Sequence, residues 1–314
     1  MAEKSPPPHD RGSELWSPSS GPSRLLISSF DRWTSAILSD DGVEMPYMGG
    51  DEKIEGTIFA RENGTLVGCA AVDHMLQIWA GSVSVSWAFG DGRRVSKGDE
   101  IATISGERDA VLAMERPLLN ILGQLSGIAT EARHWAAKAP GQIACTRKTI
   151  WGLMDKWAVH LGGGLTHRLS RTDACMIKEN DLIRMYPDLS TNGAKIAKYI
   201  SEVDLTTVGV FLEIEVREEK EAIMAAFSWS EKRIVEDCDK LVLMLDNFGP
   251  ERSRSINAEL IEMGLREHIW LEASGGILLE NLEDWRECGL DVLSTSSINR
   301  GCKPLDISMI VNEF

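Results

Sequence analysis

Apolar positions along this chain follow different rhythms in different stretches. In "LLISSFDRWTSAIL" (25–38) they recur every three or four residues, which predicts an amphipathic helix. Between 54 and about 108 the spacing shortens. "GTIFARENGTLVGCAAV" reads as two strands around a turn at Asn63-Gly64, and "VSVSWAFGDGRRVSKGDEIATISG" continues with alternating strands and Gly turns. Residues 109–137 return to helical spacing, with Pro117 near a helix start or a kink. Beyond them, short apolar runs recur: "QIAC" (142–145), "ACMIK" (174–178), "VGVFLEIEV" (208–216), "KLVLML" (240–245), "HIWLEAS" (268–274) and "LDVLST" (290–295). Helical segments such as "GAKIAKYISEV", "EKEAIMAAF" and "ERSRSINAELIEM" separate most of them. That alternation predicts parallel strands joined by crossover helices, and continuous apolar runs fit strands buried on both faces.

These rhythms divide the chain. Residues 1–24 are rich in Pro, Ser and charge and are expected to form a disordered tail. Residues 25–117 read as a β-rich N-terminal domain, and 118–301 as a parallel α/β domain. An open doubly wound sheet and a closed barrel both fit the second domain. Polar residues recur at the C-terminal ends of its strands, at Arg147, Lys148, Lys178, Glu215, Asp246, Ser274 and Ser294, which favours a barrel. The span is short for eight βα units, so an incomplete barrel is expected.

Charge narrows the function classes. The chain carries 33 basic and 48 acidic residues, a formal net charge of −15, which argues against nucleic acid or an anionic membrane as partner. Six scattered cysteines without a CxxC pair suit a reducing cytoplasm. No apolar run is long enough to span a membrane, and no signal peptide is evident. Nothing explains the excess of Trp over Tyr.

Against that acidity, local cations stand out. Arg147 and Lys148 in "TRKT" (146–149) follow an apolar run, where a planar guanidinium and a point charge can grip a carboxylate or phosphate. The plain alternative is a solvated basic turn. "GGGLTHRLSRTDACMIKEND" (162–181) adds three glycines, His167, Arg168 and a strand-end Lys178. Glu213 and Glu215 share one face of "LEIEV", and Asp246 ends "LMLD"; carboxylates in apolar strands suit a Mg²⁺–phosphate site or a salt bridge with Lys178 or Lys148. "EASGGI" (272–277) is a Gly-rich turn before a helix, of the kind that binds a phosphate monoester, and "STSSINRG" (294–301) could do the same. Several cations beside two carboxylates match a pyrophosphate-bearing sugar and a di-acid acceptor.

In this order, "MERPLLNILGQLSGIAT", "TRKT", "KWAVHLGGGLTHRL", "DACMIKEND", "LEIEV", "LMLDNF", "LEASGGI" and "LDIS" resemble the quinolinate phosphoribosyltransferase family, also called carboxylating nicotinate-nucleotide pyrophosphorylases. The resemblance implies a type II phosphoribosyltransferase fold. This comprises an N-terminal α/β sandwich, with 302–314 packing back on it, and an incomplete α/β barrel, assembled as a homodimer. It implies transfer of phosphoribose from phosphoribosyl pyrophosphate (PRPP) to quinolinate with loss of CO₂, supported by Mg²⁺. Arg147, His167, Arg168 and Lys178 would surround the quinolinate carboxylates, and Arg116 would enter from the partner subunit. Lys148, Glu215 and Asp246 would lie near PRPP and, with Lys178, act catalytically, the two carboxylates handling Mg²⁺. Ser274, Gly275, Gly276, Ser296 and Ser297 would hold the 5′-phosphate. Cys145, Trp151, Asp181, Ser296 and Arg300 depart from the family pattern around this pocket. A paralogue using another acidic heteroaromatic acceptor, or an inactive sensor of PRPP or a pyridine acid, are the other readings.

Overall fold

The computed structural model describes residues 6–47 and 50–312. The chain divides into two compact units, one made of 12–137, 148–166 and 298–314, the other of 1–11, 138–147 and 167–297.

The first unit begins with two short paired strands, β1 (Trp16–Ser17) and β2 (Gly21–Pro22), and helix α1 (Arg24–Asp40). Ser23 caps α1 by accepting the Leu26 amide, and Leu26, Phe30, Thr34 and Leu38 form the buried stripe that the helical spacing predicts. Strands β3 (Lys53–Ala60), β4 (Gly64–Thr65), β5 (Ser84–Trp87), β6 (Arg94–Val95) and β7 (Glu100–Glu107) follow, with helix α2 (Cys69–Trp79) between β4 and β5. The expected hairpin at Asn63-Gly64 does not form. β3 pairs with β7, and β4 pairs with β6. The second expected strand instead turns helical at Cys69, because Asp91 accepts the amides of Gly68, Cys69 and Ala70 and caps α2 from a distance in sequence.

Helix α3 (Arg108–Lys138) runs through Pro117, so this proline is not at a helix start, and the expected boundary at 117/118 falls inside one helix. Helix α4 (Leu153–Leu161) also belongs to the first unit, where Trp157 packs on Phe30 with ring centroids 5.4 Å apart. The chain end returns to this unit. Leu305 donates to the Gly123 carbonyl of α3, and a last strand, Ile307–Asn312, pairs antiparallel with β3 at the edge of a four-stranded sheet.

The second unit holds six parallel strands: β8 (Ile143–Ala144), β9 (Cys175–Ile177), β10 (Leu212–Val216), β11 (Leu241–Asp246), β12 (Ile269–Ser274) and β13 (Val292–Ser294). Ile307–Asn312 is therefore β14. Helices α5 (Glu179–Met185), α6 (Asn192–Glu202), α7 (Glu219–Val235), α8 (Gly249–Glu262) and α9 (Leu282–Arg286) lie between successive strands from β9 onward. The spatial order is β8-β13-β12-β11-β10-β9. A doubly wound sheet reverses its order near the middle. Here β9 to β13 run in sequence and β8, the first, lies beside β13, the last. That is a barrel ring opened between β8 and β9, with six strands where a closed barrel has eight.

Residues 6–24 are not the expected tail. Residues 1–5 of the expected tail lie outside the described residues, but His9 and Leu15 are fully buried. Composition argues for a segment that cannot bury itself; it is silent on a groove elsewhere that buries it. No helix among the described residues is long and apolar enough to cross a membrane.

Candidate active site

The ring order collects polar residues at one end of the sheet. Asp246 of β11 is level with Ser274 of β12, Ser274 with Ser294 of β13, and Ser294 with Ala144 of β8. Arg147 lies three residues beyond β8, and Lys178 immediately follows β9.

A cavity of about 320 Å³ opens there, lined by Arg147, Arg168, Arg171, Lys178, Asp181 and Arg184 together with apolar residues of β9. Five cations and one carboxylate give it a net positive lining, which suits an anionic ligand. Three are sequence candidates. Arg171 and Arg184 are not; they sit on a turn and a short helix where a lone arginine reads as solvated surface. Arg168 is buried, and its guanidinium donates to the Ala174 carbonyl (3.0 Å) and reaches Met176 Sδ (3.2 Å).

Beside the cavity, the Lys178 ammonium pairs with the buried Glu215 carboxylate. Arg217, a residue the sequence reading passed over, joins this group. Its guanidinium lies 3.8 Å from Glu215, 3.4 Å from Asp246 and 2.8 Å from Glu179. The two carboxylates expected to handle Mg²⁺ are thus held by cations at the ends of adjacent strands. As hard oxygen donors at a strand-end cluster they fit Mg²⁺, which typically takes one or two protein carboxylates and substrate phosphates.

The expected phosphate loops are neighbours in this unit. Gly275 and Gly276 have φ of +95° and +70°. A Cβ at Gly275 would collide with the Asn247 side chain, so this close approach requires glycine. Thr295 ties the second loop to the first: its hydroxyl donates to the Ile277 carbonyl and accepts the Ser297 amide, next to Ser296.

His167 is not on the cavity wall. It is buried, with φ of +52°, and its Nε2 lies 3.3 Å from Glu272 and 3.6 Å from Glu213. His9 Nε2 meets the other oxygen of Glu272 at 2.7 Å. Burial disfavours a charged His167 ring, but Glu272 and then Glu213 outweigh it and push the group up to about 10. The Arg168 amide N–H donates to Nδ1 at 2.7 Å and opposes a second ring proton there. Both influences leave a proton on Nε2, the nitrogen on the side of Glu272 and Glu213. Burial would raise Glu272, yet His167 and His9 hold it well below the usual carboxylate range. Burial, then the charge of Glu272, raises Glu213, whose two oxygens have no hydrogen-bond partner. His9, His167 and Glu272 could in principle share a metal ion, their ligand atoms lying within 4.8 Å. With a proton on His167 Nε2, the cluster is held by the His9–Glu272 hydrogen bond and by the charge of His167 facing Glu272 and Glu213. Glu272 carries the same signal that drew attention to Glu213, a charge inside an apolar strand. His9 carries no local signal.

Two candidates lie in the other unit. Lys148 follows the stretch that ends at Arg147. Its carbonyl accepts Asn299 Nδ2 (3.0 Å), and buried Asp155 accepts the amides of Ile150 and Trp151, so these two residues set the backbone of the 148–151 turn. Arg116 is exposed on α3, on one stripe with exposed Leu112 and Asn120, and its nearest ionic neighbour is Glu115 at 4.0 Å.

Comparison with known proteins covers nearly the whole chain. The family model for the N-terminal domain of quinolinate phosphoribosyl transferase matches residues 34–126, and that for its C-terminal domain matches 128–310. A probable carboxylating nicotinate-nucleotide pyrophosphorylase of Methanothermobacter thermautotrophicus is 31% identical over 287 residues, covering 89% of this chain and 93% of its own. The chloroplastic carboxylating nicotinate-nucleotide pyrophosphorylase of Arabidopsis thaliana is 32% identical, over 83% and 75%. Among solved structures, NadC from Streptococcus pyogenes superposes with a TM-score of 0.74 at 26% identity, covering 92% of this chain and 98% of its own. The nicotinate-nucleotide pyrophosphorylase of Francisella tularensis shares the fold, with a TM-score of 0.74 at 24% identity over 91% and 97%.

Proposed function

The chain belongs to the quinolinate phosphoribosyltransferase family, and on that premise we propose that it transfers phosphoribose from PRPP to quinolinate, giving nicotinate mononucleotide, pyrophosphate and CO₂. The observation that carries this reading is the cationic cavity at the strand ends, where Arg147 and Arg168 stand beside the Lys178–Glu215 pair. A di-acid needs that density of cations, and a neutral acceptor would leave them uncompensated.

The chemistry follows from charge. The C1–O bond to pyrophosphate breaks with both electrons leaving on oxygen, so positive charge builds on the ribose. The quinolinate ring nitrogen supplies the new bond at C1. Arg147, Arg168 and Lys178 hold the acceptor carboxylates and orient that nitrogen. The ring nitrogen, now cationic, takes up the electron pair released when the adjacent carboxylate departs as CO₂. A proton then fills the vacated carbon. Lys148 would face PRPP, and Ser274, Gly275, Gly276, Ser296 and Ser297 would hold its 5′-phosphate. Mg²⁺, held through Glu215 and Asp246, would supply charge neutralisation for the leaving pyrophosphate.

Incubation of the protein with PRPP, Mg²⁺ and quinolinate is expected to yield nicotinate mononucleotide and CO₂ by mass spectrometry, with no product from nicotinate run in parallel. Product from nicotinate, or none from quinolinate, would overturn the reading. Chelation by EDTA is expected to stop turnover and added Mg²⁺ to restore it; full turnover in chelator removes the magnesium assignment. Six free cysteines support a cytoplasmic location, which cell fractionation checks.

We further propose a homodimer in which exposed Arg116 completes the partner's site. Mixing inactive Arg116→Ala with inactive Lys178→Ala is then expected to restore about a quarter of the sites, since half of each mixed dimer is intact. A mixture that stays inactive while mixed dimers form rules this out.

A further inference from the structure

A buried polar cluster of the barrel unit includes a residue that belongs to none of its strands. Segment 6–11 enters this unit near the start of β9, where Arg11 Nη2 pairs with Asp173 at 3.3 Å. Two residues earlier, His9 is fully buried. Its ring meets His167 edge-on, with centroids 5.0 Å apart, and lies 5.2 Å from Phe211. Its Nε2 takes one oxygen of Glu272, and His167 Nε2 faces the other. Glu272 Oε2 is hydrogen-bonded by His9, while Oε1 faces His167 at 3.3 Å as a charge contact with no hydrogen-bond partner. The His9 bond therefore anchors the carboxylate that faces the His167 ring.

That anchor has a task. His167 holds a left-handed backbone angle that a residue with a Cβ adopts only when its surroundings impose it. The bend aims the next residue. Arg168 leaves it to reach Ala174 and Met176 and to line the anion cavity. A continuous path therefore runs from His9 through Glu272 and His167 to the guanidinium beside the acceptor.

We propose that His9 is a positioning residue: the imidazole of the N-terminal segment fixes the Glu272–His167 pair and so aims Arg168 at the acceptor carboxylates. The catalytic part of this inference rests on the proposed quinolinate reaction. The N-terminal segment is then a built-in strut of the active site.

The test uses the full chain with His9→Ala and His9→Gln. His9→Ala is expected to raise the KM for quinolinate about tenfold while leaving the KM for PRPP within about twofold, because the path leads to the acceptor cavity alone. His9→Gln, whose amide can still donate to Glu272, is expected to recover most of the loss. A merely structural role would lower active fraction and leave both KM values alone, with Gln no better than Ala; that result overturns the proposal, as does an unchanged quinolinate KM in His9→Ala. A second readout needs no turnover. In protein labelled with ¹⁵N in its imidazoles, the buried His167 Nε2–H is expected to exchange slowly with water, and to exchange at least tenfold faster in His9→Ala. An unaltered Nε2–H in that variant refutes the strut, whatever the acceptor. If wild type makes no product from quinolinate while this signal still responds, the reaction assignment fails and the strut stands.

Discussion

Arg147→Ala is expected to raise the KM for quinolinate about a hundredfold and to leave the melting temperature within about 2 °C of the parent. The two halves have separate causes. Arg147 is exposed, and among the described residues no hydrogen bond or ion pair holds its guanidinium. Removing a surface side chain of that kind changes stability by about 0.5 kcal/mol or less. It also relieves repulsion among the five cations of the cavity. In the complex the same guanidinium would be desolvated against a carboxylate. Truncating one partner of such a pair costs about 2–5 kcal/mol, and a hundredfold sits near the lower end of that range. Steady-state kinetics with quinolinate varied at saturating PRPP, paired with calorimetry, decides the matter. An unchanged KM, or an activity loss that follows the melting temperature, would place Arg147 outside the acceptor site.

Glu272→Ala is the converse case, a large loss of stability. The carboxylate is fully buried and faces two histidines. Its removal deletes the anion that holds His9 and His167 and leaves polar rings in a dry core. Breaking a buried pair from one side costs about 3–5 kcal/mol. For a chain of this size that lowers the melting temperature by roughly 5–8 °C. Glu272→Gln, which keeps the volume and one acceptor, is expected to fall between. Thermal and urea unfolding of both variants would measure this, and a shift below about 2 °C for Glu272→Ala would show that the cluster contributes little to the fold.

The strands of the barrel were readable because each is a continuous apolar run. "LEIEV" and "LVLML" are buried at every position, and a strand sandwiched on both faces needs that pattern whatever its neighbours are. The cationic residues at the strand ends were readable for a related reason, since a charge that interrupts an apolar run must sit where the run stops being buried or find a partner. Glu272 broke the same rule as Glu213 and was passed over. Helix α2 was misread as a strand because its cap is supplied by Asp91, more than twenty residues away. Arg217 reads as an ordinary charge after a strand, and only the proximity of Glu215, Asp246 and Glu179 gives it a place in the site.

Local pattern by itself determined the alternation of strand and helix, the parallel arrangement, and the basic and acidic groups that mark the site's end of the sheet. Each of these follows from the burial demands of a short segment and can be read inside a window of ten or twenty residues. Tertiary structure alone decided that β8 closes beside β13, that His167 is buried outside the cavity wall, and that His9 is anchored to a residue 263 positions away. Those outcomes depend on which distant groups share a dry interior. There, an unpaired charge is costly and a satisfied one is stable.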